Sequence, residues 1–260
     1  MILTIDIGNT QTVLGLFDKD ALVRVWRIAT QPQHTSDELC VSYLSLMEAH
    51  SYSPASVESA CIASVVPNMG NVWKQALNSL HNTPVCFARD VVGTDLFTTN
   101  YPNPLEIGSD RIADALAAWD LCKQACIVLD FGTATNIEVI DSNGLFVGGI
   151  IAPGIQASAA ALFSKAARLS AIELTAPLKS IGRSTEEAVQ SGIIYGEVCR
   201  ADGLVARIEE ELGCACFVVG TGGLVDMIAP LSTKIMHVDK NLTLKGLLLI
   251  HNYLKSRHDL

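Results

Sequence analysis

Basic residues are scarce in this chain. Of 260 residues, 18 are lysine or arginine against 27 aspartates and glutamates, a formal net charge of −9. A nucleic-acid-binding surface normally needs a basic face that displaces counterions, so no nucleic-acid partner is expected. A small anionic substrate is still allowed, because backbone N–H groups and a few local cations can dominate a small pocket. Long apolar runs are also missing. The longest candidate, "GGIIAPGIQASAAALF" (148–163), is broken by Pro153, Gly154 and Gln156, short of the roughly 18 uninterrupted apolar residues of a membrane span. The N-terminus lacks a basic lead-in and its first apolar stretch is interrupted by Asp6, so no secretory signal is read there. The expectation is a soluble, cytoplasmic protein with no membrane partner.

Eight cysteines are present, but no C-x-x-C pair occurs, which removes the common zinc and dithiol patterns. Cys61, Cys86, Cys126 and Cys216 lie in or beside strand-like apolar runs. Reduced, mostly buried thiols are expected. The sequence G-x-x-x-x-G-K-[ST] is absent as well, so a P-loop is not expected.

What the chain has is apolar material: 49% hydrophobic and 17% charged residues, ample for a sizeable core. It also has a repeated phrase. "ILTIDIGNT" (2–10) returns as "IVLDFGTAT" (127–135), with Asp6 and Asp130 in corresponding places. Each copy opens the same series. The first runs "ILTIDIG", "TVLGLFD" and "ALVRVWRIA", then a helix from "TSDE" (35–38), a capping box with Thr35 as N-cap. A strand at 59–66, a helix after Pro67 and a short strand at 85–88 follow. The second runs "CIVLDFG", "TNIEVID", the turn "SNG" (142–144) and "LFVGGII". It continues with a helix from Pro153 to about Arg168, a helix from a second capping box "STEE" (184–187), and a strand at 215–220. Agreement in motif, order and spacing predicts an α/β protein of two related domains, 1–115 and 116–260, each a mixed sheet flanked by helices. The last helix has the option of packing back on the first domain.

A hairpin turn of Asp, Gly and Thr can serve phosphate. Gly8 and Gly132 let the backbone approach a bulky anion. Asn9, Thr10, Thr12, Thr133 and Thr135 offer N–H and hydroxyl donors, and an aspartate can hold a cation or its water shell. One such turn is as readily a plain strand ending; two in equivalent places point to phosphate binding. "VVGTGGLV" (218–225) lacks the full dinucleotide spacing, since Gly220, Gly222 and Gly223 are followed by Asp226. It reads equally as a strand-to-helix turn or as a third ligand motif. Between the halves, "NYPNPLEIGSDRIADALAAW" (100–119) begins extended and turns helical after Gly108-Ser109. That places Asp110 and Arg111 in a helix's first turn.

Together these stretches resemble type III pantothenate kinase, of the actin-like, sugar kinase and heat-shock chaperone ATPase superfamily. The resemblance covers "DIGNTQTV" (6–13), "YPNPLEIGSDR" (101–111), "DFGTATNIEVID" (130–141), "GGIIAPG" (148–154), "IGRSTEEAVQSG" (181–192) and "VVGTGGL" (218–224). It implies ribonuclease H-like domains, phosphorylation of pantothenate from ATP on the way to coenzyme A, a homodimer, Mg²⁺, and a monovalent cation, K⁺ or ammonium. It implies that Asp6, Ile7, Gly8, Asn9, Thr10, Gln11, Thr12 and Val13 form the first ATP loop, joined by Thr133 from the second. Asp130 is the implied K⁺ ligand, and Asp6 a Mg²⁺ ligand through water. Tyr101, Gly108, Ser109, Asp110, Arg111 and Thr185 are the implied pantothenate contacts, with Asp110 as proton acceptor and "VVGTGGLV" (218–225) on the nucleoside side. Ser109 replaces the family's usual alanine, and is expected to act as a good N-cap. Two other readings stay open: a kinase of the same superfamily with another acceptor, and a non-catalytic regulatory protein.

Overall fold

The computed structural model describes residues 1–165 and 172–257. Along the chain run β1 (Ile2–Ile7), β2 (Gln11–Asp18), β3 (Ala21–Ala29), α1 (Ser36–Ala49), β4 (Ser59–Ser64), α2 (Met69–His81), β5 (Val85–Phe87) and α3 (Ser109–Cys122). Then come β6 (Cys126–Phe131), β7 (Ala134–Ile140), β8 (Phe146–Pro153), α4 (Ile155–Lys165), α5 (Thr185–Leu212), β9 (Phe217–Thr221), α6 (Val225–Ile228), β10 (His237–Val238) and α7 (Leu242–Ser256). The expected end of the α4 helix near Arg168 lies outside the described residues. Its start is Ile155 rather than Pro153, because Pro153 still pairs with Ala134 as the last residue of β8.

The fold divides into two compact units, Met1–Ala117 with the C-terminal segment from Leu242, and Ala118–Asn241. Each is built on a five-stranded mixed sheet. In the first the order is β3-β2-β1-β4-β5, and in the second β10-β9-β6-β7-β8. Read from the opposite edge, the second order is the first one over again. In both, three antiparallel strands form a meander, and two further strands add parallel to the first of them. The doubled phrase therefore occupies the same place in both sheets, at the end of β1 and of β6.

Period-two alternation assigns the faces. In the first unit Leu3, Ile5 and Ile7 point into a core with Leu39, Tyr43 and Met47 of α1 and Trp73 of α2. Leu244 and Leu248 of α7 pack with Phe17, Ile2 and Val13 in a separate cluster, and α7 lies on β1 and β4. In the second unit Ile127, Leu129, Phe131, Ile137 and Val139 meet Ile194, Val198, Ala201 and Val205 of α5.

The helix starts follow the capping chemistry. Thr35 Oγ1 accepts the Glu38 N–H at 3.3 Å while Glu38 Oε2 accepts the Thr35 N–H at 2.8 Å, a full capping box. At α5 only half of that box forms. Ser184 Oγ accepts the Glu187 N–H at 3.1 Å, but Glu187 Oε2 reaches one residue further back, to the Arg183 N–H at 2.6 Å. All eight cysteines are free thiols, four of them buried. Burial pushes the Cys216 thiol up to about 11 and Cys126 well up from its ordinary value, so both stay protonated. Cys214 and Cys216 precede β9, and the Cys216 thiol donates to the Cys214 carbonyl at 3.9 Å.

Candidate active site

The first turn is closed by the Gly8 N–H donating to Gln11 O at 3.0 Å. A Cβ on Gly8 would stand 3.2 Å from that same oxygen, so glycine keeps the turn narrow. Asn9, Thr10 and Gln11 are exposed at its tip, and Asp6 is half-buried just before it. Ile7 and Val13 anchor the two strands in apolar clusters. Thr12 differs from its sequence reading as a phosphate donor. It is buried, and its hydroxyl pairs with Thr30 Oγ1 at 2.9 Å.

The segment 101–111 meets the same end of the first sheet. Ile7 is in register with Ser64, the last residue of β4, and the Ser64 carbonyl accepts the Ser109 hydroxyl at 3.3 Å. The start of α3 is thus tied to the carboxyl ends of β1 and β4, where open α/β sheets collect ligands. The expectation of Ser109 as N-cap is corrected. The Gly108 carbonyl accepts the Ile112 N–H at 3.1 Å, so Ser109 is the first helical residue and its hydroxyl points to β4 instead. Tyr101 is half-buried upstream, its N–H donating to Thr99 Oγ1 at 3.0 Å.

Asp110 folds back over Gly108: a Cβ there would lie 2.5 Å from Asp110 Oδ1. The same oxygen accepts the Arg111 N–H at 2.9 Å. Desolvation raises the Asp110 carboxyl above the ordinary aspartate value, outweighing the Arg111 N–H and guanidinium, which act the other way. Arg111 itself is buried. A carboxylate whose hold on a proton is strengthened by burial can act as a proton acceptor, and the buried guanidinium beside it can receive an anion.

In the second unit the Gly132 N–H donates to Ala134 O at 3.0 Å, and Thr133 is exposed at the tip. Asp130 Oδ1 would lie 2.3 Å from a Cβ on Gly222, whose φ is +92°. Gly222 therefore lets the "GTGG" turn close onto the Asp130 carboxylate and the Phe131 backbone. Gly154, just after β8, packs on the turn itself, where a Cβ would stand 2.4 Å from the Thr133 carbonyl oxygen. Thr135 is buried, its hydroxyl donating to Glu197 Oε1 at 2.7 Å. The described residues hold no cluster of three or more His, Cys, Asp or Glu that would bind a metal. The oxygen donors present, carboxylates and backbone carbonyls, suit a hard cation whose remaining ligands come from nucleotide and water. Thr185 is exposed at the first position of α5; Ser184 does the capping, and the Thr185 hydroxyl has no partner among the described residues.

The sequence pattern of type III pantothenate kinases matches residues 2–207. The type III pantothenate kinase of Frankia alni is 40% identical over 250 residues, spanning 96% of this chain and 98% of the relative. That of Parafrankia sp. is 42% identical over 250 residues, spanning 96% and 97%. The chain belongs to the type III pantothenate kinase family. Among solved structures, a Campylobacter jejuni protein described as of the Baf transcriptional activator family aligns with a TM-score of 0.59 at 19% identity. That alignment covers 99% of this chain and 100% of the other, and it is a likeness of fold.

Within this kinase family, ATP is the phosphoryl donor. Three features of the chain went unread in sequence: the Gly222 and Gly154 contacts that brace the second turn, and the Thr135–Glu197 bond. The glycines carried a signal in being at strand ends. Glu197 carried one too, since it interrupts the apolar α5 positions 193, 194, 198 and 201 that face the core.

Proposed function

We propose that the protein transfers the γ-phosphoryl group of ATP to the terminal hydroxyl of pantothenate, an early step toward coenzyme A, and acts as a homodimer. The observation that carries the reading is the tie between the first phosphate turn and Asp110 through Ile7, Ser64 and Ser109. It sets a raised-pKa carboxylate at the same sheet edge as a turn of exposed donors.

In this reading the Gly8–Gln11 and Gly132–Thr133 turns hold the phosphates with backbone N–H groups and exposed hydroxyls. Asp110 accepts the acceptor hydroxyl's proton and aims its oxygen in line with the γ-phosphorus, and Arg111 receives the pantothenate carboxylate. Tyr101 and Ser109 line the acceptor site, and Thr185 completes it from the partner subunit. Exposed Leu178 and Ile181, a few residues before Thr185, are apolar surface that a second copy would cover. Asp6 would hold Mg²⁺ through water, and Asp130 K⁺ or ammonium. These cations neutralise triphosphate charge when bound.

A coupled assay of ADP release tests the reading. Release is expected only with pantothenate present, and to fall when K⁺ is replaced by Na⁺. Release that ignores pantothenate, or that prefers hydroxylated acceptors without a carboxylate, would overturn it.

A further inference from the structure

The second phosphate turn is braced from outside by two side chains of α5. Thr135 follows the turn on β7, opposite Phe131 and Ala152, and Pro153 ends β8 opposite Ala134. Glu197, with 4% of its surface exposed, takes the Thr135 hydroxyl on Oε1 and the Arg200 guanidinium on Oε2. The Arg200 Nη2 also donates to the Pro153 carbonyl at 2.8 Å. Arg200 and Glu197 stand three residues apart on one helix face, so one ion pair grips both strands that flank the turn.

A buried carboxylate is costly unless paired, and an apolar side chain of similar volume often stabilises a core as well or better. The neighbouring α5 positions do use apolar side chains: Ile193, Ile194, Val198 and Ala201. What the ion pair adds at 197 and 200 is direction. Two charge-assisted hydrogen bonds, locked together by the ion pair, fix where β7 leaves the turn and where β8 ends, while Gly154, next in the chain, abuts the carbonyls of Gly132 and Thr133. We infer that Glu197 and Arg200 are positioning residues for the Gly132–Thr133 turn, setting its grip on the nucleotide without touching it. The inference rests on the ATP reading above.

The test uses the full chain and two measurements: calorimetric binding of ADP, and steady-state KM and kcat for each substrate. Glu197→Gln keeps an acceptor for Thr135 but breaks the ion pair. It is expected to raise the ADP Kd and the ATP KM about tenfold, while the pantothenate KM stays within about twofold. Arg200→Lys, which keeps a cation, is expected to recover most of the loss that Arg200→Ala shows. Thr135→Val removes a single hydroxyl and guards against misfolding of the larger changes; about a threefold rise in ADP Kd is expected. A role confined to stability would lower the melting temperature and leave these constants unchanged in the folded protein, and that result overturns the inference. Nucleotide binding by the unaltered protein separates the two claims. Binding without pantothenate phosphorylation sinks the acceptor assignment and leaves the positioning role standing; no nucleotide binding sinks both.

Discussion

Gly222 and Asp130 are in contact across neighbouring strands: a methyl group on the glycine would stand 2.3 Å from the aspartate Oδ1. Thr221 is the register partner of Asp130, so the glycine turn begins where the second phosphate turn's acid sits. The same glycine has φ +92°, a conformation other residues adopt only at a cost. Two independent constraints thus require glycine at 222, and both bear on the carboxylate assigned to the monovalent cation.

Gly222→Ala is therefore expected to act on stability and on cation use together. Backbone strain alone costs about 1–3 kcal/mol, a fall in melting temperature of at least about 2 °C for a chain of this size. Displacement of Asp130 should raise the K⁺ concentration for half-maximal activity. Thermal unfolding and a K⁺ titration check it. A variant with lowered melting temperature and an unchanged K⁺ midpoint would leave Asp130 without the cation role.

Asp110 supplies a pH prediction. In the proton-acceptor role proposed for it, Asp110 must be ionised, and its pKa is raised from 3.8 mainly by desolvation. The acidic limb of kcat/KM for pantothenate should therefore lie above the range of an ordinary aspartate and disappear in Asp110→Asn. General-base loss lowers kcat by roughly 10²–10⁴, with ADP affinity near normal. The stability sign runs opposite to the activity. A carboxyl with a raised folded pKa contributes most below 3.8 and loses that contribution as pH rises through the folded value. Asp110→Asn should then be at least as stable as the parent at pH 7, which distinguishes lost chemistry from lost folding. Near-normal turnover would remove Asp110 from its role.

Much of this fold was legible in sequence, and the reasons are local. The Asp-Gly phrase recurs at one strand end in each sheet, and Thr35 with Glu38 fixed the start of α1 by side-chain reach alone. The hydroxyls of Thr12 and Thr135 were misread because turn length decides which way they face. With Ile7 opposite Thr12 and Phe131 opposite Thr135, each threonine shares the core-facing side of an apolar partner, and a turn one residue longer would reverse it. Ser109 was misread for a similar reason. Gly108 and Ser109 are both plausible cap residues, and only the distant Ser64 carbonyl decides between them. Contacts such as Gly222 with Asp130 are set by strand order, which no local pattern states.

The placement of α3 depends on α7. A Cβ on Gly246 would lie 1.9 Å from the Ala113 carbonyl oxygen, and Thr243 Oγ1 donates to Asp114 Oδ1 at 2.7 Å one helical turn beyond Asp110. Because the obstructing atoms are backbone, Gly246→Ala must move a helix. It is expected to destabilise by about 3 kcal/mol, the upper range for overpacking, and to raise the pantothenate KM more than the ATP KM. Denaturant unfolding and a two-substrate kinetic comparison decide it; equal effects on both KM values would mean that α7 does not set the acceptor residues.

A second pH dependence resides in stability alone. His251 on α7 is fully buried, its Nε2 2.6 Å from Ser59 Oγ on β4 and its Nδ1 3.1 Å from Asn252 Oδ1. Since Asn252 Oδ1 can only accept, Nδ1 carries the proton and Nε2 accepts from the serine hydroxyl. Desolvation lowers the imidazole pKa from 6.5, opposed by the Asn252 bond and Glu58 and assisted by Lys255. A lowered folded pKa means that stability is complete above pH 6.5 and declines as pH falls below it, when the unfolded chain takes a proton that the folded one refuses. The slope approaches about 1.4 kcal/mol per pH unit for one such proton. His251→Gln cannot titrate, so whatever its overall stability, its melting temperature should fall less between pH 7 and pH 5.5 than that of the parent. Parallel curves for the two proteins would show that His251 is protonated as readily in the fold as out of it, and that the Ser59 contact does not hold it neutral.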